Sequence, residues 1–528
     1  MEQEFRVVGP PGCGKTTWLS RQVARAWEKG ENVLIASLTR AAAAEVAGRE
    51  LPIPRDNIGT LHAHCYRSLG RPRIAETKAE YINDWNKSYP QYHMSVAKKD
   101  MDADNLDATS NGNVGDSHLE AYQMLRARQA TVMPPILEVF VQKWKDWKRA
   151  NDLVDFTDLI EICVDTTSSA PGNPSVIFID EGQDMDALEM ALVRKWGEQA
   201  GYLVTVGDPD QNLYQWRGSD PEAFNSTPLR DDQRMVLAQS YRVPFAVHGL
   251  AVEWIDKIHG REPVDYQPRD HDGEVSTTRA TWKTPASIMD DIERQVADGK
   301  SVMVLASCSY MLRPLIAGLR TSGLPFHNPY RRARGDWNPL SPAGAGKVTG
   351  TERLLSFLGL SEQGGWTVED MERWTAACTI KEVMPGGRDD LALCYDVDDM
   401  GVPMEVLNNL MTDEALVAGM SGDMQWYSKH LLASRRLGAD YPVTVATARG
   451  STALREPPQV VVGTIHSVKG GESDVVYLMP DLSMAGNEEW RGSARSQAAV
   501  RRLFYVGMTR ARETLILCAP GGKTAVRF

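Results

Sequence analysis

The chain has 528 residues, with 58 basic against 70 acidic side chains and a formal net charge of −12. That length exceeds one compact core and suits about three or four modules. Its 42% hydrophobic and 24% charged residues exclude a disordered or collagen-like chain. No run of ~18 uncharged apolar residues and no basic-then-apolar leader occurs, so neither a membrane span nor an export signal is expected, and a cytoplasmic location is. Seven cysteines without a C-x-x-C pair argue for buried, reduced thiols rather than a disulfide framework or a zinc ribbon. The negative balance gives nucleic acid no general attraction, so any DNA contact must come from a local groove.

In chain order, short β-branched runs recur between helical stretches: Phe5 to Val8, Val33 to Ala36, Val176 to Ile179, Leu203 to Val206, Val302 to Leu305, Val460 to Val462, Val475 to Leu478 and Leu515 to Leu517. Such runs predict buried parallel strands, and their alternation with amphipathic helices predicts α/β layers in two groups. The first group is interrupted over about residues 71–150, with helices predicted at Leu119 to Arg128 and Ile136 to Arg149. A second interruption, about residues 334–440, carries predicted helices at Thr351 to Leu360 and Val368 to Ala377. The expected domains are therefore 1–70 with 151–235, a helical insertion at 71–150, then 236–333 with 441–528, and an insertion at 334–440. Asp100-Met-Asp-Ala-Asp104 reads as a solvated acidic loop, because Asn105 and Asn111 stand where a calcium loop needs glycine and glutamate. In Lys143-Trp-Lys-Asp-Trp-Lys-Arg149, the spacing of Trp144 and Trp147 favours one core-facing helical stripe over a nucleic-acid surface. His62-Ala-His64-Cys65 has metal-like residue types but no partner pair at zinc spacing.

Gly9-Pro10-Pro11-Gly12-Cys13-Gly14-Lys15-Thr16-Thr17 follows a predicted strand and opens a predicted helix through Trp18 to Trp27, the context a phosphate loop requires. Glycines let backbone N–H groups wrap phosphates, Lys15 reaches the β/γ oxygens, and the Thr16 hydroxyl suits Mg²⁺. A kinase, a GTPase or a motor would all fit that loop. A second signal narrows the choice: the strand Val176-Ile-Phe-Ile ends in Asp180-Glu181, placing a metal-binding carboxylate beside one able to orient or deprotonate water. A base next to the metal ligand favours hydrolysis.

Beyond these two sites the sequence resembles superfamily 1 helicases of the UvrD/Rep/PcrA type, with the motifs in the family's order. Ser37-Leu-Thr-Arg40-Ala-Ala-Ala-Ala-Glu45, Gly59-Thr60-Leu-His62-Ala63 and Asp155-Phe156-Thr-Asp-Leu159 are followed by Gly207-Asp-Pro-Asp-Gln211-Asn-Leu-Tyr214-Gln-Trp216-Arg217-Gly218. Gln239-Ser-Tyr241-Arg242, Gly463-Thr-Ile-His466-Ser-Val-Lys-Gly-Gly-Glu472 and Arg502-Leu-Phe-Tyr-Val-Gly-Met-Thr-Arg510-Ala511 complete the series. The resemblance implies two RecA-like domains with ATP and Mg²⁺ between them, each domain carrying one insertion. It implies that Gln211 senses the γ-phosphate, that Arg242 and Arg510 act as arginine fingers, that Tyr241 stacks on adenine and that Glu472 contacts the nucleotide. Arg40, Thr60, His62, Phe156, Tyr214, Trp216, Arg217 and His466 are implied as contacts to single-stranded DNA.

There are departures from the family pattern. Only eight residues precede Gly9, so the family's upstream adenine-reading glutamine has no counterpart, Gln3 being too close, and relaxed base choice is expected. Leu38 stands where an aromatic is common, and no nuclease domain is expected after Arg510. The implied function is an ATP-dependent helicase or translocase on single-stranded DNA and strand junctions, 3′ to 5′ by family, working as a monomer or weak oligomer with possible replication or repair partners. A protein-stripping translocase that unwinds poorly and a nucleotide-gated subunit of a larger complex are the alternatives, with RNA a weaker substrate choice.

Overall fold

The computed structural model describes residues 4–38, 43, 47–49, 51–96, 113–331, 335–342, 344, 346–394, 396 and 401–528. Arg40, Glu45, Gln3 and the acidic loop from Asp100 lie outside the described residues. The described strands form two six-stranded sheets and one two-stranded pair. The chain divides into two compact units: residues 1–277 with 464–517 and 522–528, and residues 278–463 with 518–521.

In the first unit, β1 (Glu4–Val8), β2 (Val33–Ser37), β3 (Ile58–Thr60), β4 (Val176–Asp180), β5 (Tyr202–Gly207) and β6 (Arg234–Val236) form a sheet in the order β3-β2-β4-β5-β1-β6. Every pairing in it is parallel. All carboxyl ends therefore open on one edge, where such sheets place their ligands. Register fixes which residues meet there: Val8 lies opposite Gly207, and Ser37 opposite Asp180. β2 and β4 are buried along their whole length, which is why they read as unbroken apolar runs. β7 (Gln239–Pro244) pairs with β8 (Gln267–Arg269), and β9 (Glu274–Thr277) continues in the same unit.

Among the described residues between 71 and 150 are the helices Ala79–Ser88, Val114–Ala127 and Pro135–Ala150. Its core is aromatic: Trp85 lies edge-on to Trp144 at 5.0 Å and to Trp147 at 5.5 Å, and Phe140 closes the cluster. Trp144 and Trp147 are thus core residues, as their spacing predicts. Lys148 on the same helix is also buried and pairs with Asp155 at 2.5 Å and with Asp158.

Arg126 completes that network, meeting Asp155 at 2.9 Å, Asp158 at 2.5 Å and Glu161 at 2.6 Å. Asp155 in turn caps the helix Phe156–Thr166 through a reciprocal pairing with Asp158. Beside it, burial and the Asp155 charge push the Glu76 carboxyl up to about 8. A carboxyl that binds its proton more tightly folded than unfolded makes stability fall as pH rises from its ordinary 4.5 towards 8. Glu76→Gln should remove that decline, so its advantage in melting temperature over the wild type should be larger at pH 8.5 than at pH 5. An advantage that does not grow with pH would contradict the assignment.

In the second unit, β10 (Val302–Ala306) is wholly buried, and β11 (Phe326–His327) pairs parallel with β12 (Val460–Thr464) at Phe326 to Val460. The expected insertion is helical, with Gly350–Gln363, Val368–Thr375, Asp413–Ser421 and Ala433–Arg449 among its helices. The boundary expected at 440 falls inside the last of these, which runs unbroken through Pro442. Back in the first unit, β13 (Ser473–Leu478) and β14 (Ala511–Leu517) form with β9 a parallel ladder, Val476 opposite Leu515 and Leu515 opposite Val275. No described helix is long and apolar enough to cross a membrane. Five cysteines are buried, Cys308 and Cys394 are partly exposed, and all seven are free.

Candidate nucleotide and strand site

The phosphate loop leaves β1 with Gly9 N–H donating to Gly207 O at 3.0 Å, and delivers the helix Lys15–Glu28 with Gly14 as its left-handed cap at φ 76°. Gly12 is also left-handed, and a Cβ there would lie 2.5 Å from the Arg242 Cβ, so only glycine fits. Lys15 Nζ donates to Gly9 O at 2.6 Å, folding the lysine over the loop. Arg49 Nη1 donates to the Thr17 hydroxyl at 2.9 Å. Cys13 is buried, which pushes its thiol up, so it is a packing residue within the cradle.

The loop is gripped by a second segment. The Pro11 carbonyl accepts the Ser240 hydroxyl at 2.9 Å and the Tyr266 hydroxyl at 3.2 Å, and Gly12 O accepts the Tyr241 N–H at 2.8 Å. Tyr241 is backbone-anchored there while its ring is 72% exposed, which leaves an open aromatic face beside the loop. Neither Ser240 nor Tyr266 is legible as a site residue in the sequence. Ser240 sits inside the quoted fourth motif, whereas Tyr266 lies in an unremarkable segment that only the tertiary structure brings here.

At the end of β4, Asp180 is buried and Glu181 takes a left-handed backbone at φ 55°. Thr16 and Asp180 supply hydroxyl and carboxylate oxygens of the kind Mg²⁺ prefers, and no group of three or more metal-binding side chains exists among the described residues. The donor set thus suits an ion completed by phosphate oxygens and water, not a protein cage. A Mg²⁺ ion held by Thr16 and Asp180 would supply charge neutralisation to a bound phosphate.

Glu181 Oε2 lies 3.1 Å from Lys469 Nζ and 2.6 Å from Gln183 Nε2. Despite burial, Lys469 and Lys15 hold this carboxyl down to about 2. Lys469 also pairs with Asp184 and lies 5.4 Å above the Tyr214 ring. Its two carboxylate partners hold the ammonium well above the usual lysine range.

Gln211 and Arg510 meet directly. Arg510, 1% exposed, donates to Gln211 Oε1 at 3.2 Å, to Gly471 O at 3.1 Å and to Val506 O at 2.9 Å. Gln211 Nε2 donates to Asp208 at 2.6 Å, and burial with Asp210 nearby raises Asp208 to about 6. Arg242 Nε pairs with Glu472 at 2.6 Å, so the second finger candidate and the nucleotide-contact candidate are partners of each other.

The strand candidates divide. His62 and Phe156 stand edge to face at 6.1 Å, Phe156 is 38% exposed and Arg217 is exposed; burial holds the His62 imidazole below its usual range, Arg217 adding to this and Glu189, 3.6 Å away, opposing it. Trp216 is 37% exposed on a short turn. Thr60 uses its hydroxyl to cap the helix Leu61–Ser68, accepting from Ala63 N–H at 3.2 Å. Tyr214 and His466 are buried. Tyr214 is buried beneath Lys469, and burial drives His466 down to about 4, leaving a neutral imidazole. Neither presents a face to solvent, so Trp216 is the open ring of its motif. His64, of metal-like type, is buried and bonded to Ile35 O at 2.9 Å and to Arg67.

Comparison with known proteins places these residues in a family. The family model of the UvrD/REP helicase N-terminal domain matches residues 1–229, and that of the UvrD-like helicase C-terminal domain matches residues 444–520. A probable DNA helicase of Mycoplasma pneumoniae is 26% identical over 291 residues, covering 48% of this chain and 53% of its own. ATP-dependent DNA helicase PcrA of Leuconostoc citreum is 25% identical over 259 residues, 42% of this chain and 32% of that protein. PcrA of Staphylococcus aureus is 26% identical over 298 residues, 50% and 39% respectively. The chain spans about half or less of the length of these relatives. With both family domains matched in order around the phosphate loop and its arginine partners, the chain belongs to the superfamily 1 helicases of the UvrD/Rep/PcrA type.

Proposed function

We propose that the protein is an ATP- and Mg²⁺-dependent DNA helicase or translocase that moves 3′ to 5′ on single-stranded DNA and opens duplex at strand junctions. The observation that carries this reading is the bond from Arg510 to Gln211, which sets a guanidinium from the sixth motif against the phosphate sensor of the third. Lys15 and the loop amides bind the phosphates, Glu181 directs water at the γ-phosphate, and Arg510 and Arg242 offset the charge that develops there. The open Tyr241 ring is the adenine platform. Trp216, Phe156, His62 and Arg217 face the strand, with Thr60 shaping that surface through its cap.

Trp216 is five residues from Gln211, which ties base stacking to the phosphate sensor. Stacking on an aromatic side chain is worth ~1–3 kcal/mol per base and tolerates any sequence, as a motor on DNA requires. Duplex opening costs about 1.4 kcal/mol per base-pair step in stacking, so it has to be coupled to hydrolysis.

The test is ATP turnover with and without single-stranded DNA across a salt series. Strand-stimulated turnover is expected, with apparent affinity falling at a slope of about −0.7 per phosphate contacted. Trp216→Ala should weaken strand affinity by roughly tenfold, from the stacking term, and leave the KM for ATP unchanged. Turnover indifferent to the strand would instead favour a nucleotide-gated subunit, and translocation without strand displacement would favour the protein-stripping alternative.

A further inference from the structure

We infer that Lys469 is a strand-sensing positioning residue, which holds the carboxylate of Glu181 until a backbone phosphate of single-stranded DNA competes for its ammonium. The inference rests on the reading above, since it names how that strand reaches the hydrolytic base.

Three observations converge on it. Lys469 spans two carboxylates, Glu181 at 3.1 Å and Asp184, so it is anchored by one while it occupies the other. Glu181 also accepts from Gln183, so ammonium and amide together engage the carboxylate that should receive a water proton. A base so engaged is weak, because its proton-accepting power is spent on partners it already has. The ammonium further lies 5.4 Å above the ring of Tyr214, two residues before Trp216, and three residues after His466 in the chain. Trp216, two residues from Tyr214, is the exposed ring by which a stacked strand would approach the ammonium, whose side chain is 12% exposed.

The exchange needs no new charge on the protein. A phosphodiester replaces a carboxylate as the ammonium's partner, and Asp184 keeps the lysine nearby for its return. The left-handed Glu181 backbone, uncommon for a residue with a side chain, turns the chain at the strand end.

The test uses the full chain with Lys469→Met and Asp184→Asn, measuring ATP turnover at increasing concentrations of a single-stranded oligonucleotide. Lys469→Met should raise strand-free turnover on the order of tenfold, a fraction of what a freed general base supplies, and shrink the ratio of stimulated to basal rate. Asp184→Asn, which keeps the lysine but loosens its anchor, should lower the strand concentration giving half-maximal stimulation. Strand-free turnover that stays level or falls in Lys469→Met would overturn the inference. So would an Asp184→Asn protein that changes only the KM for ATP, since nucleotide phosphate rather than strand would then be drawing the lysine away. A wild type that the strand does not stimulate would instead sink the motor reading, and this inference with it.

Discussion

Arg510→Lys is expected to lower kcat for ATP by roughly 10³-fold or more while strand affinity stays close to wild type. The guanidinium bonds Gln211, Gly471 and Val506 through three different nitrogens, a fork that an ammonium cannot reproduce. Lysine keeps the charge and most of the volume, so the substitution separates geometry from net electrostatics. Pre-steady-state quench kinetics would place the loss in the chemical step. A variant with normal kcat would remove Arg510 from the transition state and leave Arg242 as the sole finger. Arg242 itself is paired with Glu472, so its own substitution frees a carboxylate and gives a less clean reading.

The second large effect belongs to Glu181. Glu181→Gln should reduce kcat by about 10² to 10⁴, the usual range for removing a positioned acid or base, with ATP and strand binding retained. The amide preserves the hydrogen bonds of the loop but cannot take a proton. Because Lys469 would lose one of its two carboxylates, the variant should also bind strand at least as tightly as the wild type. Anisotropy titration with a labelled oligonucleotide checks this, and weakened strand binding would contradict the placement of Lys469.

Much of this was legible in the chain because the informative residues are local. The eight core strands carry β-branched runs, and Lys15, Asp180 and Glu181 follow strands in ways that backbone chemistry nearly dictates. The short strands β3, β6, β8 and β11 were not legible, since two or three residues hold no periodicity and β6 is exposed along its length. The boundary expected at 440 falls within the helix Ala433–Arg449, whose interior holds Pro442. Lys469 was passed over for a different reason. It lies in the fifth motif, but only the fold shows that its ammonium reaches Glu181 and Asp184, which lie almost three hundred residues earlier in the chain. Burial of Tyr214 and His466 was equally invisible, because ring chemistry announces stacking but not access.

The turn that carries Trp216 ends at Gly218, a left-handed residue whose added Cβ would stand 2.9 Å from the Cβ of Ala127. Ala127 closes the insertion helix Val114–Ala127, and its neighbour Arg126 is bolted into the carboxylate network beneath Phe156. Glycine at that position lets the turn lie against the helix end, where a side chain would collide. If a strand docks on Trp216 as proposed, amide exchange at the end of that insertion helix should slow when an oligonucleotide is bound.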